Sequence, residues 1–582
     1  MGSESCSSSD EKKLAMEPLL GDNLNPKGGL RTMPFIIANE AFERVASIGL
    51  QSNMIMYLTR EYNLEAMTAA YILFVWSAVS NLMPVLGAFV ADSYAGRYRM
   101  VGFGSIATLA GMVLLWLTAI IPSAKPPVCD PASEICERAT TSQLLFLYSS
   151  LGFMSVGAGG IRSSSLAFGA DQLNREDSIE NAGILQRYFS WYYAAVSVAS
   201  MVAVTCIVYI QDNLGWKVGL GVPAVLMFLS ALSFFLASPF YVKLKAKTSL
   251  LTGLAQVIVA SYRNRNVKLS SQATDEVYHH KKGSMLLKPS EKLRWLNKAC
   301  IVRDPLDLTS DGRAKNPWNL CTVDQVEELK ALIKVIPLWS TGIVIGMTLD
   351  QQSFPIIQVS TMDRKITSNF EIPSGSFGIF MIITVIVWIA LYEHIIIPIA
   401  SKISGKPTYL SLKKRLGIGL LCSCASMATW AIVEIFRRKI AIEEGFSDDP
   451  RAVVHMSWMW LLPHLVLGGL AMAFNTIGQS QFYYSELPKS MASISSTLLG
   501  IGSSAASLVS SFIVNTVDNI TKSGGKESWI STNINKGHYD YYYWLLAGLS
   551  MVNFMYFLVC SKAYGPCKGE AFEKDDMSTE EQ

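Results

Sequence analysis

The sequence predicts an all-α polytopic membrane protein, with about twelve spanning helices arranged as two six-helix bundles. Three observations predict it. Of the 582 residues 50% are hydrophobic and only 16% charged, with a mean hydropathy of +0.30, whereas a soluble chain carries roughly 25% charged residues. Apolar runs approaching the roughly 20 residues that cross a bilayer recur near 34–58, 69–92, 99–121, 142–170, 186–210, 216–240, 330–356, 374–399, 412–436, 456–480, 490–514 and 541–561. A polar insert at 241–329 then separates the first six from the last six. Lys+Arg 49 against Asp+Glu 46 leaves a net charge of +3, so no overall basic character points to nucleic acid.

The elements follow in order. Residues 1–33 are rich in Ser, Asp and Lys and lack an apolar core, which predicts a disordered cytoplasmic segment and no cleavable signal. Residues 34–240 form the first bundle and 330–561 the second; 562–582 read as an acidic cytoplasmic tail. The insert is a basic cytoplasmic linker, in which Leu293, Trp295 and Leu296 beside Lys292, Arg294 and Lys298 predict an amphipathic helix on the membrane face or bridging the bundles. Orientation follows from the cations at span ends. Lys402, Lys406, Lys413, Lys414 and Arg415, then Arg97 and Arg99, then the start of the insert share one side with both termini, which places the termini in the cytoplasm. The segment 437–455, with Arg437, Arg438, Lys439 and Arg451, is an exception on the opposite side.

Ionisable residues at membrane depth cost roughly 2.5–3.5 kcal/mol each on insertion scales, so they need a reason. Glu40, Glu43 and Arg44 fall on one face of the first span, at offsets of three and four. Arg44 can neutralise one acid, and the other then sits in a poorly solvated place beside a like charge. That suits a proton carrier; the alternative is an ion pair that pins the span to a neighbour. Arg162 follows Gly157, Ala158, Gly159 and Gly160, small residues that let helices approach and turn the cation towards protein or a cavity. There it can pair with the first-span acids or hold an anion with its fork, unless it snorkels from a span end. Asp350 either lines a cavity, locks a gate or marks the end of the seventh span. Asp92 faces Arg97 across the turn at Gly96, either as a latch within one bundle or as a topological anchor.

Cys129 and Cys136 share the 122–141 loop on the predicted non-cytoplasmic side and form a candidate disulfide. Asn519-Ile520-Thr521 is a candidate glycosylation sequon in the last non-cytoplasmic loop. His464 reads as a packing residue. No phosphate loop, nucleophile triad or metal-ligand cluster is apparent, so the sequence predicts no enzyme activity and no metal or other cofactor.

These residues resemble a known family. Glu40-x-x-Glu43-Arg44, Gly87–Asp92 with Gly96-Arg97-Tyr98, Gly159-Gly160-Ile161-Arg162 followed by Phe168–Gln172, and the run Asn535–Trp544 are similar, in order and at the right spans, to motifs of the plant nitrate transporter/peptide transporter family. That family is a branch of the proton-coupled oligopeptide transporters within the major facilitator superfamily. The resemblance covers about Gly28 to Tyr564. It implies a proton symporter working by alternating access, driven by the proton gradient, with protons, a small substrate and membrane lipid as its partners. Glu40, Glu43 and Arg44 would couple the proton, and Arg162 stands where the family has a lysine. Met472 occupies the place of the glutamate that meets a peptide's amino end, and Ala46-Ser47 stands where peptide carriers have paired tyrosines. Both departures favour an anion. Leu349 occupies the place of the histidine used by a nitrate-binding member. The expectation is a low-affinity nitrate symporter of the plasma membrane. A carrier of carboxylate hormones such as gibberellin or jasmonate, a nitrate transceptor, or less readily a di- and tripeptide carrier are the alternatives.

Overall fold

The computed structural model describes residues 28–127, 137–173, 180–243, 250–266, 278–280, 288–304, 307–309, 312–351, 353–368, 370–405, 410–488 and 491–566. The chain is predominantly helical. The first bundle comprises α1 (Met33–Arg60), α2 (Ala66–Val90), α3 (Arg97–Ile120), α4 (Thr141–Leu173), α5 (Glu180–Val202, continued by a π-helical turn to Leu214) and α6 (Trp216–Leu236). The second comprises α7 (Val323–Leu349), α8 (Gly378–Leu391, continued by a π-helical turn to Ser404), α9 (Leu412–Glu443), α10 (Leu462–Glu486), α11 (Ala492–Thr521) and α12 (Tyr539–Tyr564). Eleven of these helical stretches are long and apolar enough to cross a bilayer. The helix outside that set is α1, the one carrying Glu40, Glu43 and Arg44. The chain is therefore an integral membrane protein.

Close helix approach shapes the first bundle. A Cβ on Gly157 of α4 would stand 2.1 Å from Thr108 Oγ1 of α3, and one on Gly159 would stand 2.6 Å from Met83 Cβ of α2. Only glycine permits both contacts, which seat α4 closely against α2 and α3 just before the turn that carries Arg162. Asn39 of α1 ties the bundle further by donating to Ser105 of α3 (3.1 Å) and Ser230 of α6 (2.9 Å).

The second bundle is interrupted at α7. This helix opens with a reciprocal cap between Thr322 and Gln325 and stops at Asp350. The chain resumes as a short helix, Ser353–Ser360. Two small two-stranded ribbons, Met362–Asp363 with Val454–Ser457 and Lys365–Thr367 with Phe370–Glu371, cap that end of the bundle.

The bundles meet towards the end opposite the chain termini. Phe74 of α2 and Phe354 of the short helix lie 6.3 Å apart. Ser504 of α11 donates to the Ala78 carbonyl (2.8 Å) and Ser507 to the Ser77 hydroxyl (3.2 Å). Lys522 reaches Glu65 (3.6 Å), and the Ala66 amide donates to Thr532 (3.3 Å). A cavity lies between the bundles on the termini side of this seal.

Four expectations are corrected here. Residues 28–32 are tied down rather than free: the Gly28 amide donates to the Phe240 carbonyl (2.7 Å) and the Gly29 amide to the Gln172 carbonyl (2.8 Å). In the insert, Arg294–Cys300 is one short 3-10 helix with Leu296 fully buried, not an amphipathic α-helix. Among the described residues of the insert the α-helix is Leu250–Arg263. Its Leu254, Val257 and Ala260 pack with Leu296, Ala299, Val326 and Leu329, so the insert docks on the start of α7 and does not bridge the bundles among the described residues. Third, α9 runs on to Glu443, which removes Arg437 from the loop: it is fully buried and paired with Glu434 at 2.8 Å. That withdraws one of the four cations from the exception to the charge pattern. Fourth, Asn519 lies in the last turn of α11, donating to Asn515 (3.3 Å), not in a loop. Cys129 and Cys136 lie outside the described residues.

Candidate functional site

The charged residues of α1 divide into two pairs. Arg44 Nε donates to Glu40 Oε1 at 3.1 Å, one helical turn away. Glu43 turns to α4 instead, where Arg162 holds both of its oxygens: Nη2 to Oε1 at 2.9 Å and Nε to Oε2 at 3.3 Å. The Ser47 hydroxyl adds a third bond to Glu43 Oε1 at 2.6 Å. Glu40 and Glu43 are 1% and 0% exposed, while Arg162 retains 17% on its side chain. Glu43 thus has three donors in a water-poor place and Arg162 has an open edge. Glu40 is less satisfied. Its Oε2 is buried and accepts no hydrogen bond of normal geometry among the described residues, with Tyr192 of α5 beside the carboxyl.

The open edge of Arg162 faces the cavity between the bundles, of about 430 Å³. Leu349, Asp350 and Met472, named from the sequence, share its lining with Arg162 and Ser47. Apolar surface comes from Trp76, Trp339, Met154 and Met381. Polar groups that sequence reasoning missed come from Gln51, Asn81, Asn475 and Gln479. Uncharged and set in otherwise ordinary spans, they gave no signal. Among the described lining residues Arg162 and Asp350 are the two that carry charge.

Asp92 and Arg97 sit apart from the cavity, at the termini-side end of α2 and α3. Gly96 adopts φ +79, which permits the tight turn between them. Arg97 Nε lies 3.4 Å from Asp92, and its Nη1 contacts both oxygens of Asp171 of α4 at 2.8 and 2.9 Å. The guanidinium therefore binds three helices of one bundle. Asp171 lies within a motif quoted above, but its partnership was not foreseen. His464 is buried, within 2.9 Å of the Ser426 hydroxyl, and stacks on Trp430 with centroids 4.6 Å apart.

The arrangement is a closed end, a central cavity with a cation in reach, and two buried carboxylates behind it, which is the anatomy of a carrier. Known proteins agree. Residues 98–530 match the model described as PTR2, the POT family. The chain is 51% identical over 580 residues to Protein NRT1/ PTR FAMILY 1.2 of Arabidopsis thaliana, covering 95% of this chain and 96% of that one. It is 52% identical over 546 residues to Protein NRT1/ PTR FAMILY 1.1 of the same plant, covering 93% and 92%. Among solved structures it resembles an auto inhibited POT family peptide transporter, with a TM-score of 0.65 at 17% identity over 91% of this chain and 97% of that one. The fold also matches a POT family transporter in complex with 5-aminolevulinic acid, with a TM-score of 0.58 at 14% identity over 93% and 99%. The chain belongs to the POT family of membrane transporters and is not an enzyme.

Proposed function

We propose that the chain is a proton-coupled symporter that carries a small anion, nitrate first, across the plasma membrane by alternating access, with both termini in the cytoplasm. The observation that carries this reading is the fork of Arg162 on Glu43, with its open edge in the cavity. A guanidinium binds a carboxylate or a nitrate through the same two parallel N–H groups, so Glu43 and an anion compete for it. A proton on Glu43 removes the competing charge and frees the fork. An anion on the fork, in turn, deprives Glu43 of its strongest partner and favours its protonation. The two ligands therefore bind together, as symport requires. Arg44 holds Glu40 near the same cluster, and the buried Oε2 of Glu40 offers a place for the proton in transit.

Met472 in the cavity wall supports an anion over a peptide, since it gives an ammonium no counter-charge at that place. The seal at the end opposite the termini gives this conformation an opening towards the cytoplasm under the proposed orientation. A second cargo is supported by the cavity itself. About 430 Å³ walled by Trp76, Trp339 and three methionines is far larger than nitrate. It suits a carboxylate on an apolar body, the class of gibberellin and jasmonate.

Labelled nitrate uptake in oocytes at pH 5.5 and pH 7.4, beside Glu43→Gln, tests the proposal. Uptake that rises in acid and is lost in the variant is the expected result. No uptake of nitrate or of a carboxylate hormone by surface-expressed wild type would sink it.

A further inference from the structure

Helix N-termini attract acids, because their free amides carry partial positive charge. The first turn of α9 breaks that rule. Lys413, Lys414 and Arg415 stand in it in succession, it holds no acidic residue, and the Ser411 side chain does not cap its amides. Lys414 is exposed, as a cation at a span end should be. Lys413 donates to the carbonyls of Ser561 (3.3 Å) and Gly565 and so caps the end of α12. Neither explanation serves Arg415.

Arg415 is only 8% exposed, yet no carboxylate comes within ion-pair distance of it among the described residues. Its Nη1 donates to the side-chain carbonyl of Gln481 on α10 at 2.6 Å, and its guanidinium carbon lies 5.1 Å from the ring centre of Tyr392 on α8. Its Nε is buried and has no hydrogen-bond partner among the described residues. The acid at the end of α10, Glu486, accepts from the Tyr564 hydroxyl (2.7 Å) instead. Arg162 and Arg437 each hold a glutamate. A guanidinium taken out of water without a counter-charge is costly, and a charged ligand removes that cost.

The surface beside Arg415 indicates the ligand. After Tyr392 the chain carries α8 on to Ser404. Ile395, Ile396, Ile399 and Ile403 of this extension are all exposed, Ile403 to 82%, and Lys402 is exposed among them. The Tyr392 hydroxyl accepts from the Leu410 amide at 3.2 Å, so the approach to α9 folds back against the same stretch of α8. Isoleucines beside a cationic pocket at the ends of spanning helices suit a lipid, whose acyl chains cover the one while its phosphate meets the other.

We propose that the pocket between α8, the first turn of α9 and the end of α10 binds an anionic phospholipid of the leaflet on the termini side, with Arg415 as the phosphate ligand. Under the orientation proposed above this is the cytoplasmic leaflet, which carries the anionic lipids. One phosphate oxygen takes the place of the neutral, exposed Gln481 at Nη1 and a second meets Nε, which fills the fork. The N-terminus of α9 adds its own attraction for the phosphate. A zwitterionic lipid offers the same phosphate but brings a cation that Lys402 and Lys414 repel, so the anionic headgroup is preferred. The bound lipid ties α8, α9 and α10 together at the end of the second bundle where the cavity opens.

The test is lipid retention by the purified full chain in neutral detergent, counted by native mass spectrometry after adding phosphatidylglycerol or phosphatidylcholine, beside the melting temperature of the same samples. Wild type is expected to retain phosphatidylglycerol preferentially and to melt higher with it. Arg415→Gln is expected to bind it about fivefold more weakly, the contribution of one interfacial cation. Equal retention of the two lipids by wild type overturns the proposal and requires no variant to fold. An unchanged preference in a folded Arg415→Gln protein overturns it as well. Inorganic phosphate that raises the melting temperature as far as the lipid does would mark a site for a soluble anion and overturn the lipid assignment. None of these outcomes depends on the cargo, so the symport reading stands or falls separately.

Discussion

Each bundle contains a buried glutamate held in a fork by an arginine, and the two sites are built to opposite standards. In the second bundle Glu434 and Arg437 are both fully buried, one turn apart on α9. Arg437 donates to Glu434 through Nε (2.9 Å) and Nη2 (2.8 Å), and Gln358 adds a third donor at 2.7 Å. The remaining guanidinium edge reaches Asn535 Oδ1 (2.7 Å) and the Ile534 carbonyl (3.3 Å), and Asn535 in turn donates to the Phe446 and Asp449 carbonyls. In the first bundle Arg162 bridges two helices, keeps an edge towards a cavity, and neighbours a carboxylate oxygen with no partner of normal geometry among the described residues. The difference teaches how to separate a structural buried ion pair from a working one. The Glu434–Arg437 pair closes its own network, whereas the pair proposed to work in symport leaves one group free to change partners.

The comparison breaks most sharply if Arg437→Ala is harmless. Removing one partner of a closed buried pair leaves an uncompensated charge and costs about 3–5 kcal/mol, so little folded protein is expected, measured as surface expression and melting temperature. The double variant Glu434→Leu/Arg437→Met is expected to recover most of that loss, because replacing both charges removes the penalty. The same double replacement at Glu43 and Arg162 is expected to fold yet carry no substrate. Recovery of transport there would show that this pair is structural too.

A smaller effect sharpens the same contrast. Arg162→Lys keeps the charge but replaces a fork by a point donor. Anion affinity should fall about tenfold, or about 1.4 kcal/mol, with the protein still stable; an unchanged affinity would show that the fork does not hold the anion. The smallest effect is expected from Ser47→Ala, which removes one of the three donors on Glu43. A hydrogen bond to a charged group contributes about 1.5–3 kcal/mol at most, and here Arg162 remains in place. Transport should persist with its pH dependence displaced towards higher pH, because Glu43, with one donor fewer on its carboxylate, would hold its proton more readily. A displacement in the other direction would mean that Ser47 serves the protonated form.

The spans were legible to within a few residues because apolar length is a strong signal. The largest shifts fall at the start of α7 and at the ends of α9 and α11; at α7, polar residues such as Asp324, Glu327 and Glu328 extend the helix beyond its apolar run. The charges buried in α1 and α4 were legible because nothing else explains them in an apolar run. Their partners were not. Glu43 and Arg162 are 119 positions apart, and they meet through tertiary packing, of which the close approach at Gly157 and Gly159 is one part. The Glu434–Arg437 pair was hidden for another reason: Arg437 begins a cluster of cations, and a local count reads such a cluster as a loop. The uncharged lining of the cavity gave no signal at all. The insert misled because Trp295 and its neighbours carry the composition of an amphipathic helix, whereas the fold buries Leu296 and leaves Trp295 half exposed.

The seating of the insert on α7 makes the protein, in kinematic terms, a two-link mechanism with an appendage fixed to one link. A handle that protrudes from a rocking body travels further than the body's own interior, so a label on the insert magnifies small rotations of the second bundle. The appendage also carries its own sensor. Burial pushes the Cys300 and Cys321 thiols up to about 12, and both lie where the insert meets α7. While the insert stays seated they should be silent to maleimide at neutral pH, and their first reaction would date the moment it lifts away.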